Sequence, residues 1–516
     1  GTKEFAGSLF FDYTDNELQG DTLAGQKIDR PKFIERRRGG SIGGPIIEDK
    51  LFFFGSYEKF EGFDIFDRGP IGSGAGREVP DFTQADFDRI RQIAIDVYDY
   101  DPGGVPGAEP TSDEKYLLRL DWNISNNHRA TATYLYNESI SLQESDGDDD
   151  EFEYFNHLYG RGAELKAYSA AVYSDWTPNL STEFRYSLNE VDFTQASIAG
   201  TDFGEVQVEV GGSTIYLGAD DSRHSNDLNY EVETLRGVAN YNWNNHLITI
   251  GAERIGYDIF NLFAQHTEGQ WEFDSIDDFE NGVLETFFYG NAASGNPEDT
   301  SQQFTYEINT LFIQDEFQFD NGIQLTAGLR YDFYTSDDQP RLNENFVARN
   351  GFANTNTFDG ESLLQPRLGL SLVFNDLLSL RGGIGLYSGG NPNVWLSNSF
   401  SNDGISNIQQ NSFALPLPGN LLDGSVTFVN DEGGQGRPIY GIPSEYVDAV
   451  ENGSANSTVN AIDPDIKIPA NWKYSAGFTY DFALPNGLGD GYVLNGDILY
   501  TDIESSFAVQ DISRVT

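Results

Sequence analysis

Residues 323–334 read IQLTAGLRYDFY, and their alternation decides how the rest of the chain is read. Ile323, Leu325, Ala327, Leu329, Tyr331 and Phe333 fall on one side of an extended segment, and Gln324, Thr326, Gly328, Arg330 and Asp332 on the other. Successive side chains of a strand point to opposite faces, so the segment is a strand with one apolar and one wet side. Residues 472–482, WKYSAGFTYDF, repeat the pattern: Trp472, Tyr474, Ala476, Phe478, Tyr480 and Phe482 oppose Lys473, Ser475, Gly477, Thr479 and Asp481. Phe184, Tyr186 and Leu188 follow it too, as do Leu378, Leu380, Ile384 and Leu386. A soluble β-sandwich gives the same alternation, so the spacing of the strands has to separate the two classes.

Turn residues punctuate about fifteen strands. The connections between them alternate short and long. The short ones are EDK (48–50), NISNNH (123–128), TPNLS (177–181), NWNNH (242–246), DNG (320–322), FNDL (374–377) and LPNGLGDG (484–491). The long ones include 62–113, 196–228, 264–303 and 388–470. A meander that is short at one end and long at the other is the layout of an all-β, transmembrane, antiparallel outer-membrane β-barrel. Lipid offers no partner to a backbone N–H or C=O, and a closed barrel satisfies both without an exposed edge. The apolar faces are then expected to meet lipid, and Trp122, Trp176, Trp243 and Trp472, close to the turns, to form an interfacial girdle.

Composition agrees. Thirty-one Lys and Arg stand against 82 Asp and Glu, a formal charge of −51, which excludes nucleic acid as a partner because a phosphate backbone needs a basic face. Cysteine is absent, so no disulfide and no Cys-ligated metal is available. Aromatics make up 14% of a chain whose mean hydropathy is −0.45, a pairing of large rings with overall polarity that is unusual for a soluble enzyme. No run reaches the roughly 18 apolar residues of a spanning helix.

Helical spacing occurs in DFTQADFDRIRQIAIDVYDYD (81–101), inside the 62–113 connection. Thr83 with Asp86 three residues on suits a helix start, and Phe87, Ile90, Ala94 and Val97 recur on one side. A short amphipathic helix is expected there, packing its own loop.

RRRGGSIGGPIIEDKLFFFGSYEKF (36–60) reads as a hairpin: residues 42–47 run down, EDK turns, and LFFFGSYEKF climbs back. Phe52, Phe53 and Phe54 are consecutive, so at least one leaves the lipid side. GGSIGGP lacks the Gly-Lys-Ser/Thr of a phosphate loop, and its glycines suit a bent strand or a bulky neighbour lying flat.

This segment resembles the TonB-dependent outer-membrane receptors of the Oar-like group, together with GTKEFAGSLFFDY (1–13), DWNISNNHRATATYLYN (121–137), FIQDEFQFDNGIQLTAGLRYDFY (312–334), QPRLGLSLVFNDLLSLRGGIGLYSGG (365–390) and IDPDIKIPANWKYSAGFTYDFALPNG (462–487). The resemblance implies a barrel of about 22 strands filled by a plug domain and coupled to an inner-membrane complex. Residues 1–516 are then expected to be about fifteen strands of that barrel, with 62–113 and 388–470 as long extracellular loops and the plug, the coupling motif and the closing strands outside the sequence. The implied localisation is the outer membrane of a Gram-negative bacterium. The implied function is energised transport of a large substrate, a peptide or protein. The rival is a surface adhesin or scaffold that a barrel anchors and that binds through acidic loops. Expected partners are outer-membrane lipid and lipopolysaccharide, the protein's own plug, the TonB-type energy-coupling complex, a peptide or protein substrate and additional outer-membrane or surface subunits.

Arg119, Arg129, Arg185, Arg330, Arg367 and Arg381 fall on the polar faces of their strands and are expected to face the lumen, as solvated wall charges or as partners of plug carboxylates. The acidic run ESDGDDDEFE (144–153) misses the EF-hand template and is read as a solvated loop. His128 and His246 follow Asn-rich turns, which fits turn chemistry better than a metal or triad. No HExxH occurs, and no catalytic, cofactor-binding or metal-binding residue is assigned.

Overall fold

The computed structural model describes all residues except 1–3, 19, 21, 24, 28–31, 321, 376, 430–435, 454–455, 485–488, 490 and 514–516. Fifteen strands form one antiparallel sheet, each paired with the next of the set in chain order, from Ala6–Asp15, Ile34–Ile47 and Leu51–Ile65 through to Ala470–Phe482 and Tyr492–Ser505. Among the described residues the first and last strands do not pair with each other. The turns at one end are tight. Between Trp243 and His246 only Asn244 and Asn245 intervene, and Asn244 takes φ 54°, the left-handed conformation that a two-residue hairpin loop requires. At the other end the strands run on further than local pattern suggests, so the connection expected at 62–113 spans 66–107.

Register sorts the side chains. Leu329 and Tyr331 lie opposite Ile313 and Leu311, which lie opposite Ile250 and Ala252, so these share one face. This apolar face continues through Leu235, Tyr186 and Tyr168 to Leu118, Leu120 and Trp122. Going up the strand Ser225–Trp243 from the turn, its outward residues are Trp243, Tyr241, Ala239, Gly237 and Leu235, and then Glu233 and Glu231. The neighbouring strand switches from Leu188 to Glu190, and the next from Tyr168 to Lys166. The last apolar position shifts by two residues between some neighbours: Leu235 faces Tyr186, not Leu188. That stagger is the signature of strands tilted across a level band.

Tyrosines mark the upper edge of the band. Tyr116 stacks on Tyr136 at 4.7 Å, Tyr57 Oη donates to Glu114 at 2.9 Å, and Tyr136 Oη donates to Glu138 at 2.8 Å. Trp122, Trp176 and Trp243 sit exposed at the tight-turn edge. Trp472 does not: its strand begins at Ala470 after a long connection, which puts the ring at the opposite end from the other three. Of the three consecutive phenylalanines, Phe53 shares the face of Leu51 and Leu120, and Phe52 and Phe54 turn to the other side, where Phe52 is buried. Gly39 earns its place by close approach, since a Cβ there would lie 2.6 Å from Cζ of Phe10 on the adjoining strand.

The long connections fold together into a cap. A six-stranded mixed sheet joins Glu151–Glu153, Ser213–Leu217, Glu205–Val210, Gln270–Phe273, Thr286–Asn291 and Ile408–Asn411, drawn from four separate connections. The helix Gln84–Tyr98 packs on it, held at its start by a reciprocal capping box between Thr83 and Asp86. Phe87, Ile90, Ile93, Ala94 and Tyr98 are its buried residues; Val97 faces out. Trp271, Phe273, Phe279, Phe287 and Tyr446 fill the common core and are fully buried.

Candidate functional site

Three arrangements on or above the wall carry chemistry. The first is the polar face. Register puts Arg119, Arg129, Arg185, Arg330, Arg367 and Arg381 opposite the apolar face, and each has a partner within its own sheet. Arg119 pairs with Asp121 at 2.7 Å, Arg185 with Glu183 at 2.9 Å and Arg381 with Asp497 at 2.6 Å. Arg129 and Arg367 lie over the rings of Tyr173 and Tyr387 at 4.5 and 4.4 Å. Arg330 enters a closed network in which Asp332, only 5% exposed, accepts from Arg330 Nε at 2.9 Å, Thr310 Oγ1 at 2.7 Å and Gln365 Nε2 at 2.5 Å. Arg254 is different: it lies on the apolar face above the band, bonded to Glu307, and the alternation of its own strand is too weak there to announce it.

The second arrangement covers the upper part of that polar face. The connection 389–469 lays Leu396, Phe400, Ile462 and Ile468 against the wall residues Phe304, Tyr306, Ile308 and Tyr334. Phe400 stacks on Phe304 at 4.3 Å, and the hydroxyls of Tyr306 and Tyr334 donate to Asn393 Oδ1 and Asn391 Oδ1 at 2.6 and 2.8 Å. This connection is therefore pinned across the wall rather than projecting from it.

The third lies inside the cap. Asp146, His157, Glu205 and Asp220 present donor atoms that all lie within 4.8 Å of one another. The acidic run 144–153 supplies Asp146 and, beside it, Glu153; it is not simply solvated, because Glu153 is 3% exposed and Asp146 donates its backbone N–H to Glu153 Oε1 at 2.6 Å. His157 is fully buried, with Nδ1 3.1 Å from the carbonyl of Gly218 and Nε2 3.3 Å from Asp146 Oδ2. Burial works against a charge on His157, yet the Asp146 bond and the carboxylates of Glu153, Glu205 and Asp220 outweigh it and raise its pKa to about 10. Burial pushes Glu153 up to about 7 and also raises Glu205 and Asp220. Asp221 departs from its neighbours: against the effect of burial, His266 at 3.0 Å holds it down at about 2. Sequence reading assigned no metal ligand. Two connections bring these four residues together, and only the placement of histidine and carboxylates in loops with no local motif could have hinted at it. His128 and His246 take no part; His246 bonds Asp315 at 2.8 Å beside the tight turns.

The wall defines the class. A strand crosses hydrocarbon in about 9–11 residues. Strands such as Ser225–Trp243, 19 residues long, spend residues 235–243 in the apolar band and carry acidic residues beyond it. An exposed apolar belt between aromatic edges, on a sequential antiparallel meander, is the wall of a membrane β-barrel.

Residues 1–64 and 103–495 match the family described as "Outer membrane beta barrel domain", and the chain belongs to that family. The gap in the match holds the capped helix. The protein is an outer-membrane protein of a Gram-negative bacterium, and its family is one of membrane barrels, not of enzymes. No curated protein matches the sequence. Among solved structures it is similar to the outer membrane transporter YddB from Escherichia coli (TM-score 0.53, 11% identity, 93% of this chain and 50% of that one). It is also similar to a mutant of the ferric enterobactin receptor PfeA from Pseudomonas aeruginosa (0.52, 13%, 98% and 54%) and to the FrpB iron transporter from Neisseria meningitidis (0.51, 12%, 98% and 56%). The chain thus spans about half the length of the structures it matches, and at these identities the likeness is one of fold.

Proposed function

We propose that this chain is the wall and extracellular cap of a TonB-dependent transporter of the Oar-like group, which moves a large substrate, a peptide or protein, across the outer membrane with energy delivered from the inner membrane. One observation supports the reading: 93% of this chain, whose wall is one sequential meander, is similar in fold to half of a transporter. The half that is unaccounted for leaves room for the remaining strands and for a plug. In this reading 1–516 is part of the barrel, the connections near 62–113 and 388–470 are extracellular, and the polar face lines the lumen. Arg119, Arg185, Arg330 and Arg381 then hold wall carboxylates at rest, Arg129 and Arg367 rest on tyrosine rings, and some of the six take plug carboxylates during transport. The charged residues above the tyrosines meet lipopolysaccharide, whose phosphates they reach through divalent cations. The Oar-like assignment rests on the sequence resemblance.

The test is substrate passage in cells carrying the full-length protein with its coupling motif deleted. Passage should stop while surface binding persists. Unchanged passage would remove the energised-transport reading. A second reading, a surface receptor or adhesin anchored by the barrel, is favoured by one feature: the connection 389–469 contributes both to the cap core and to the cluster that covers the polar face. It predicts that replacing the cap abolishes partner binding and that loss of coupling changes nothing.

A further inference from the structure

We propose that Asp146, His157, Glu205 and Asp220 form a binding site for one divalent first-row transition cation, of the Zn²⁺ or Mn²⁺ kind, that ties two connections of the cap together. Asp146 and His157 belong to the connection 144–158, and Glu205 and Asp220 to the connection 198–224. A cluster of acids alone would not carry this, and three further observations do.

The first is the state of Asp220. Its side chain is 1% exposed, and neither carboxylate oxygen accepts a hydrogen bond of regular geometry, although Ser145 and, at 3.3 Å, Arg223 Nη1 lie beside it. A buried carboxylate that has an ion-pair neighbour in Arg223 but no regular hydrogen bond, and that lies within 4.8 Å of three other ligand atoms, keeps lone pairs for a further partner.

The second is the orientation of His157. Its Nδ1 lies within hydrogen-bond distance of the Gly218 carbonyl, which can only accept, so Nδ1 carries a proton. Nε2 then points at Asp146 and either bears a second proton or offers its lone pair to a cation. A backbone carbonyl on the far nitrogen is the arrangement that sets the tautomer of metal-ligating histidines. Glu205 is oriented in the same manner, accepting from Gln207 Nε2 and from the Asp221 backbone N–H, both at 2.7 Å.

The third is charge. Beside the Asp221–His266 contact, the buried carboxyls of Glu153, Glu205 and Asp220 and the part-exposed carboxyl of Asp146 crowd around His157 and Arg223. A dication is matched by that many carboxyl groups, and its binding displaces the protons that the ligands hold. With bonds of about 2.1 Å, ligand atoms lie about 3.4 Å apart around a tetrahedral ion and at most about 4.2 Å apart around an octahedral one, so closure from the observed spread of up to 4.8 Å asks the side chains to move by roughly an ångström. Imidazole among the donors favours Zn²⁺ or Mn²⁺ over Ca²⁺, which takes oxygen ligands.

The experiment is calorimetric titration of the full-length, chelator-stripped protein in detergent with ZnCl₂, MnCl₂ and CaCl₂ separately, in two buffers of different ionisation heat. One Zn²⁺ or Mn²⁺ per chain should bind with net proton release. The pair Glu205→Gln and Asp220→Asn should weaken it by more than about 100-fold, the upper end of what an outer-shell change costs, and Gln207→Leu by about 10-fold. Gel mobility before and after heating confirms that the wall of each variant is folded. A readout free of variants is proteolysis of the unmodified protein: chelator should speed cleavage within 144–158 and 198–224, and Zn²⁺ or Mn²⁺ should reverse it. No stoichiometric binding, binding indifferent to the double variant, or Ca²⁺ preferred over both other ions would each overturn the assignment.

Discussion

Leu311→Arg separates a wall that faces lipid from a sheet that faces water. Leu311 is 55% exposed and stands on the apolar face between Ala252 and Tyr331. Four residues toward the turn on the same strand, Asp315 bonds His246 and marks the polar edge of the band. At about 3.4 Å per residue and a tilt near 45°, Leu311 lies roughly 10 Å above that edge, close to the middle of an apolar belt about 25 Å tall. An arginine there should cost about 2–4 kcal/mol. On a water-facing surface the same change stays within about 0.5 kcal/mol. The control is Gln314→Arg on the other face, where Gln314 already bonds Glu316 at 3.0 Å and a cation is matched. The assay is urea unfolding of the full-length protein refolded into lipid vesicles, followed by tryptophan fluorescence. A loss below about 0.5 kcal/mol for Leu311→Arg, or an equal loss for both variants, would refute the lipid-facing assignment.

Three more outcomes follow from the packing and the charges. Trp271→Ala empties the centre of the cap, where Trp271 meets Phe287 at 4.3 Å, and should destabilise the cap by about 3–5 kcal/mol; hydrogen exchange should quicken in 265–301 and 389–469 while the wall strands keep their protection. Asp332→Ala strands Arg330, Thr310 and Gln365 in a buried network and should cost about 3–5 kcal/mol of wall stability in the same urea assay. In cation-free protein, His157 contributes stability that is complete below its unfolded pKa near 6.5 and is lost as pH rises through its folded value of about 10. Cap proteolysis should therefore accelerate between about pH 7 and 10, and His157→Gln should flatten that rise. On the acid side the sign reverses, because burial lowers His224 to about 4 and its contribution is lost as pH falls from about 6.5.

Much of the wall was legible because its signal is local. Alternation in 323–334 put Leu329 and Tyr331 on one face and Arg330 on the other before any partner strand was known, and the register bears this out. The hairpin at 48–50 and the turn at 244–245 follow from residues that favour tight turns. Trp472 went to the wrong end because a ring near a strand terminus does not say which terminus lies at the tight turns. Val97 was placed on the buried side of the helix from spacing alone, yet the helix turns Ile93 and Tyr98 inward, since the cap sheet and not the helix chooses the buried arc.

The cap was not legible, and neither was the cluster inside it. Glu151–Glu153 pairs in parallel with Ser213–Leu217, and Glu205–Val210 with Gln270–Phe273, between connections dozens of residues apart that carry no shared pattern. His157 meets Glu205 and Asp220 only because those connections emerge from neighbouring strands at the same end of the wall. A period of two residues is a property of the backbone and survives in the sequence, so the sequence alone determined that this protein is a sheet with one lipid-ready face. Contacts among long connections depend on where the wall delivers their ends, so the packed cap, the covered polar face and the buried donor cluster were decided by tertiary structure.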